Sequence, residues 1–264
     1  MARLERIRIY PVKGLDGIEL EEASIVDGGT LARDREFALF DADGEVVNGK
    51  RTDRVHDLET DFDPETGELL VETDGESRQF DLESADERER AADWFGDVFD
   101  LEVTLERDRS LGYVDRREMG PSVISTATLE TVASWFDDLT VDSVRRRMRA
   151  NVEVSGVPAF WEDRFVGDGA PSFRAGDVRF EGVTPCGRCV VPQRDPDTGE
   201  PLPEFRERFI EKRRETFPEW ADGEAFDHYY TLMLIARVPE ADRENVLEVG
   251  DPIEIVDGGT ARRE

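Results

Sequence analysis

Lysine is nearly missing from this 264-residue chain: Lys13, Lys50 and Lys212 are all there is, and arginine supplies every other basic charge. Histidine is as scarce, with His56 and His228 alone. The two cysteines, Cys186 and Cys189, stand three apart, so a disulfide between them would close a tiny loop and staple nothing large. That usage fits a reducing compartment, where such a pair binds metal or does redox chemistry. No apolar run approaches the length of a membrane span, and no charged stretch leads into an apolar one as in a signal peptide. The expectation is a soluble, cytoplasmic protein with no membrane partner.

Acid is what the chain has in excess. Asp and Glu number 63 against 34 Lys and Arg, a net charge of −29. The acids are spread over the whole length, which makes nucleic acid an improbable partner. In dilute buffer such self-repulsion opposes compaction. In molar salt the Debye length shrinks to about 3 Å and the repulsion is screened. The composition therefore predicts a halophilic protein adapted to a salt-rich cytoplasm of the haloarchaeal kind.

Patterning predicts a β-rich α+β protein. Leu4–Tyr10 alternates as a strand and breaks at Pro11-Val12-Lys13-Gly14. Short strands are predicted at Glu19–Val26, Glu36–Phe40, Glu45–Val47 and Leu69–Glu72, then a helix at Glu87–Phe99. The polar stretch 108–121 reads as a linker between a first domain (1–107) and a second (122–257), with 258–264 as a tail. In the second, Ser125 caps a helix to Phe136, and Glu204–Arg214 forms another. Strands are predicted at Val144–Val154, Val178–Val183, Cys189–Gln193, Tyr229–Val238 and Pro252–Val256.

Two stretches carry chemistry. Thr184-Pro185-Cys186-Gly187-Arg188-Cys189 sets a thiol beside a guanidinium. A zinc site needs a second ligand pair, which is missing. A dithiol couple, inert buried cysteines, and a single thiolate ligand at Cys189 favoured by Arg188 all stay open. The run Arg145-Arg146-Arg147-Met148-Arg149-Ala150-Asn151 reads as a strand with Arg145, Arg147, Arg149 and Asn151 on one face. A soft sulfur and a basic strand together suit a cofactor that carries a soft metal and a phosphate. Lys13, in a chain that has almost purged lysine, and Arg35 supply further phosphate contacts.

Tyr10-Pro11-Val12-Lys13, Arg33-Asp34-Arg35, Arg149-Ala150-Asn151-Val152, Trp161-Glu162-Asp163, Gly187-Arg188-Cys189, Asp195-Pro196-Asp197-Thr198-Gly199 and Val249-Gly250-Asp251-Pro252 occur in this order. Together they resemble the MOSC proteins, the molybdenum-cofactor-binding group that includes the mitochondrial amidoxime reducing component. The resemblance covers nearly the whole chain and implies a MOSC β-barrel domain preceded by a β-barrel-like N-terminal domain. It implies molybdenum–molybdopterin as cofactor, with Cys189 as the protein's metal ligand and catalytic residue. Lys13, Gly14, Arg35, Arg149, Asn151, Gly187, Arg188 and Tyr229 match cofactor-binding positions, and the cofactor would sit between the domains. Gly14, Ala150 and Gly187 stand where the family usually has serine, proline and serine, which removes individual contacts. The implied activity is reduction of N-hydroxylated or N-oxide small molecules, with electrons from a separate ferredoxin- or flavoprotein-like donor. A carrier that stores or delivers the cofactor is the alternative, and a thiol oxidoreductase a third reading.

Overall fold

The computed structural model describes residues 1–73, 75–115 and 120–256. Part of the expected linker, 116–119, and the whole expected tail, 258–264, lie outside the described residues.

The first half contributes β1 (Arg3–Ile9), β2 (Val12–Lys13), β3 (Ile18–Leu20), β4 (Glu22–Ser24), β5 (Phe37–Asp41), β6 (Glu59–Phe62), β7 (Glu68–Thr73), β8 (Glu76–Asp81), α1 (Ala85–Phe99) and β9 (Val103–Arg107). The second half adds β10 (Ser122–Ser125), α2 (Thr126–Ala133), α3 (Val141–Met148), β11 (Val152–Ser155), β12 (Ser172–Ala175), β13 (Val178–Gly187), α4 (Phe205–Glu215), β14 (Thr231–Arg237), β15 (Val246–Glu248) and β16 (Ile253–Val256). The fold is thus the β-rich α+β type that the patterning predicts.

Eight strands form the main sheet in the order β16-β12-β13-β14-β10-β11-β1-β3. The sheet curls back on itself. Leu4 N donates to Asp251 O at 2.8 Å, Gly250 N to Leu4 O at 2.8 Å and Ile253 N to Ala2 O at 3.1 Å, tying the start of β1 to the run entering β16. Leu4, Ile7, Val123, Val152, Val154, Phe173, Phe180 and Leu234 are buried inside the curl. A register shift between Leu4 and Arg6 lets Leu4 and Ile7, three apart, both face that core.

A second core lies among two three-stranded sheets, β2-β5-β9 and β6-β7-β8, and α1. Ser84 caps α1 by accepting from Glu87 N, and Ala91, Ala92, Phe95 and Phe99 form its buried face. A third core packs α2, α3 and α4 on the outside of the main sheet. Ser125 is the N-cap of α2, as its position predicts.

The expected strand Val144–Val154 survives only at its end, as β11, and the expected strands Cys189–Gln193 and Glu45–Val47 are absent. The arginine run is α3, not part of a strand Val144–Val154. β10 and β11 are parallel, so the chain must cross over between them, and α2 and α3 are that crossover. Thr140 caps α3, and Arg145, Arg146 and Arg147 occupy its last turn, where the helix dipole favours cations. Arginine is also a good helix former. Val144, Arg147 and Met148 form the buried face. Arg145, Arg147, Arg149 and Asn151 therefore share no strand face. Cys189–Gln193 is likewise not a strand: β13 ends at Gly187 and the chain turns into a short 3-10 helix, Val191–Gln193. Pro192, which has no N–H to give a ladder, sits within it. Glu19–Val26 is divided into β3 and β4, and Val46 makes only an isolated bridge to Phe40.

Candidate functional site

A cavity of about 260 Å³ opens where the N-terminal strands, the end of α3 and the Cys186–Cys189 turn meet. Its wall holds Lys13, Lys50, Arg35, Arg146, Arg147, Arg149, Arg188 and Arg194, against the acids Asp16 and Asp115. In a chain of net charge −29, such a concentration of cations marks a site for an anion.

Lys13 ends β2 and pairs with the exposed Asp115 at 2.7 Å. Gly14 follows at φ +99°, and a Cβ there would lie 3.0 Å from both Asn48 Cβ and Val47 O, so the turn has room only for glycine. The Arg33-Asp34-Arg35 segment is built around Asp34. Its buried carboxylate accepts from Tyr10 N at 2.9 Å and pairs with the Arg35 guanidinium. Burial alone would lower Arg35, but that carboxylate outweighs it and holds the guanidinium more basic than usual.

Arg149 is the left-handed cap of α3, at φ 57°. This conformation swings its side chain off the helix, across the Tyr10 ring at 4.0 Å, with Nη2 donating to Leu15 O at 2.6 Å. No carboxylate is paired with Arg149 among the described residues, and burial holds it below the usual arginine range. Arg35 lies 5.2 Å from the same ring. Arg35, Arg149 and Met233, all non-glycine residues at positive φ, line the cavity together. Backbone strain gathered in this way is characteristic of functional sites.

Cys186 and Cys189 are free, half-buried, and both on the wall. Arg188 does not hold Cys189. Its Nη1 lies 3.2 Å from Cys186 Sγ, its Nη2 donates to Met148 O at 3.1 Å, and its backbone N donates to Tyr230 O. The Cys189 carbonyl accepts from the Tyr230 hydroxyl at 3.2 Å.

Of the residues that the sequence singles out, Lys13, Gly14, Arg35, Arg149, Gly187, Arg188 and Cys189 converge here. Two do not line the cavity. Asn151 is buried behind it, its Oδ1 accepting from Ser122 N and Oγ and its Nδ2 donating to Arg8 O. Tyr229 lines a separate cleft with Phe217, Phe226 and His228, and it is the next residue, Tyr230, that touches the cysteine turn. Both tyrosines precede β14, which begins at Thr231, and there Tyr229 turns into the cleft while Tyr230 turns to the cysteine turn.

Lys50, His56 and Arg194 are wall residues that motif reasoning passed over, and Cys186, weighed there only as half of a dithiol pair, joins them. Scarcity was the available signal: two of the three lysines and one of the two histidines lie here. Arg147 reaches from α3 to Asp195 at 3.0 Å and to the carbonyls of Pro192 and Arg194, and Arg146 reaches Asp197 at 2.6 Å. The helix thereby fixes the 191–199 loop on the cavity's edge.

The family model for the MOSC N-terminal beta barrel domain matches residues 1–142, and that for the MOSC domain matches residues 118–254. The chain belongs to the MOSC family. MOSC relatives include mitochondrial amidoxime reducing component 2 of Rattus norvegicus, 24% identical, with 95% of this chain and 82% of that protein covered. The molybdenum cofactor sulfurase of Oryza sativa subsp. japonica is 23% identical over 75% of this chain, but only 29% of that protein is covered. The solved structure of the YuaD protein from Bacillus subtilis covers 98% of this chain and 97% of its own, at 12% identity and a TM-score of 0.43, too distant to inform the site.

The cavity's donors suit a cofactor that brings its own metal ligands. Among the described residues no group of three or more His, Cys, Asp or Glu side chains is placed to hold a metal alone, which disfavours a protein-bound zinc. Two soft thiols and eight cations remain. Within the wall, Arg188 Nε, Arg194 Nε and His56 Nε2 are buried with no hydrogen-bond partner. Sealed from the cavity, these atoms are out of an occupant's reach and cost the fold part of its stability.

Proposed function

We propose that this cavity binds a molybdenum–pterin cofactor and that the protein reduces N-hydroxylated or N-oxide compounds. The observation that carries the reading is the convergence of eight cations and two thiols on one cavity in a strongly acidic chain. Coverage supports the reductase reading over a sulfurase one: chain and rat reducing component match over most of both lengths, at 24% identity.

When bound, the cofactor would supply a redox-active metal for a two-electron reduction in which the substrate's oxygen leaves as water with two protons, the electrons coming from a donor protein of ferredoxin or flavoprotein type. Cys189 offers the thiolate ligand from a solvent-reachable turn. Arg188 keeps that turn in place through the Met148 carbonyl and engages Cys186, which leaves Cys189 free of it. Arg149 and Arg35, both set on the Tyr10 ring, hold the anionic part of the cofactor, and Lys13 joins them by exchanging Asp115 for it. Asn151, bound to the Arg8 carbonyl and to Ser122, holds β1 and β10 together behind the cavity wall.

The test is composition and activity together. Protein purified from its native host, or loaded with cofactor, should contain molybdenum and pterin in equal amounts. It should reduce a simple N-hydroxylated compound with a chemical electron donor. Pterin bound without turnover would establish the carrier reading instead, and absence of both metal and pterin would end the cofactor assignment.

A further inference from the structure

A second hollow lies beside the cysteine turn, and the chemistry so far assigned to the site makes no use of it. It is a cleft of about 370 Å³ at the C-terminal end of α4, walled by Phe217, Phe226 and Tyr229. Phe217 meets Phe226 at 5.0 Å and 88°, and Tyr229 at 5.7 Å and 86°, so the rings stand as sides of a box and not as a stack. From behind, the fully buried Arg213 guanidinium lies 5.1 Å from the Phe217 ring and 5.9 Å from that of Phe226. All three cleft rings are half-buried, so part of each is open to solvent.

The polar groups around this box are uncommitted. Arg214 lies over the Tyr229 ring at 5.2 Å and pairs with no carboxylate among the described residues. Asp227 and His228 are exposed, and neither side chain makes a hydrogen bond or ion pair among the described residues. The Tyr229 hydroxyl has no partner there either, and it is not sealed from solvent. An aromatic-walled hollow with a few convergent polar groups is the usual form of a small-molecule site. Its volume is more than twice the ~150 Å³ of a cavity that holds benzene, enough for a substituted ring.

The cleft borders the cavity. A Cβ on Gly187 would stand 3.7 Å from Cε1 and Nε2 of His228, so a cleft residue touches a residue of the cavity wall. Both are exposed, which leaves this lip open to solvent. Arg188 N donates to Tyr230 O at 2.9 Å, so the cysteine turn and the approach to β14 run side by side. From Gly187 to Cys189 is two residues, at most about 7 Å of chain. A molecule of ordinary substrate size lying across the lip therefore reaches both hollows.

We propose that the cleft is a substrate subsite, which takes the flat aromatic body of a compound whose N–O group crosses the Gly187–His228 lip toward Cys189. This rests on the reductase reading above. Phe217, Phe226 and Tyr229 set a preference for aryl over alkyl substrates, and Asp227, His228 and the Tyr229 hydroxyl meet polar substituents on the ring.

Two measurements test this on the whole chain in molar potassium chloride, with benzamidoxime as the probe and acetamidoxime as its ringless counterpart. The first is 1H–15N NMR of histidine-labelled protein, with His228→Gln used to assign the two rings. Benzamidoxime should move the His228 signals at concentrations where acetamidoxime does not. Gly223→Leu should abolish that movement, because Gly223 lines the cleft and a Cβ there meets only open space, so the added side chain fills the hollow without strain. The second is steady-state reduction, with a chemical electron donor, by protein loaded with molybdenum–pterin cofactor from a purified molybdoenzyme. Phe226→Ala and Gly223→Leu should each lower the ratio of kcat/KM for benzamidoxime to that for acetamidoxime by roughly two- to tenfold, the span of one aromatic contact. Gly223→Leu removes no packing, so it carries the test even if Phe226→Ala fails to fold. His228 signals that benzamidoxime leaves unmoved would overturn the subsite, and so would an unchanged ratio in Gly223→Leu. Loaded wild-type protein that reduces neither compound, yet shows the His228 movement, would instead sink the reductase reading and with it the substrate role, while the aromatic site itself would stand.

Discussion

Glu162 offers a sharp test of how the fold treats charge. It lies in the 3-10 turn Trp161–Phe165 and is 1% exposed, beside Asp163 at 4%. Asp163 is paired with Arg213, whose guanidinium is fully buried over the Phe160 ring at 4.3 Å. Neither Glu162 carboxyl oxygen makes a well-formed hydrogen bond among the described residues; the Thr128 hydroxyl and the Glu162 N–H are close enough only to oppose the shift weakly. Burial, and then the adjacent Asp163 charge, push the Glu162 carboxyl up to about 8. The folded protein therefore binds a proton that the unfolded chain has already released. This contribution to stability is complete below the ordinary value of 4.5 and is lost as pH rises through about 8. At about 1.4 kcal/mol for each pH unit, that gap amounts to about 5 kcal/mol. Asp163 shares the proton affinity, so roughly 2–5 kcal/mol is expected. Glu162→Gln removes the ionisation and keeps the shape. Urea unfolding in constant molar potassium chloride should find variant and wild type within about 1 kcal/mol near pH 4. Near pH 9 the variant should be the more stable by the amount above. Taking the difference between the two proteins cancels the titration of the other acids. Curves that stay parallel from acid to alkali, or a variant less stable at pH 9, would refute the reasoning.

Other outcomes follow from the site and the surface. Lys13→Ala with Arg35→Ala should fold yet lose most bound pterin, since charge-assisted contacts are each worth roughly 1.5–3 kcal/mol; undiminished pterin fluorescence would place the anion site elsewhere. Cys189→Ser should abolish reduction of an N-hydroxylated compound while pterin partly remains, and Cys186→Ser should keep most activity; equal loss in both would indicate a dithiol centre. Gly14→Ala should destabilise by about 1–2 kcal/mol in urea titrations, because φ +99° and the 3.0 Å approach to Val47 O leave a methyl no room. Dialysis from molar salt into dilute buffer should erase the circular dichroism of folded protein, given −29 net charge; an unchanged melting temperature would count against the halophile expectation.

The sequence by itself determined the class of fold, most element positions and the family. Alternation over Leu4–Tyr10, the Ser125 cap and the charged Glu204–Arg214 stretch are local signals, and each corresponds to an observed element because short-range geometry decides it. The residues named for the site from motifs alone include Lys13, Arg35, Arg149 and Cys189, which meet on one cavity wall. Tertiary structure decided the rest. The arginine run suits either a helix or a strand by composition, and only the parallel pairing of β10 with β11, which requires a crossover, made it a helix. Arg149 reaches the cavity because it caps that helix in a left-handed turn, not through strand alternation. Asn151 and Tyr229 fall outside because each sits in the irregular approach to a strand, where no local period says which way a side chain points. His56 and Lys50 come to the wall from a loop with no motif, carried there by contacts between residues some 140 apart, such as His56 with Pro196. Long-range packing leaves no local pattern, and that is why only the folded chain shows it.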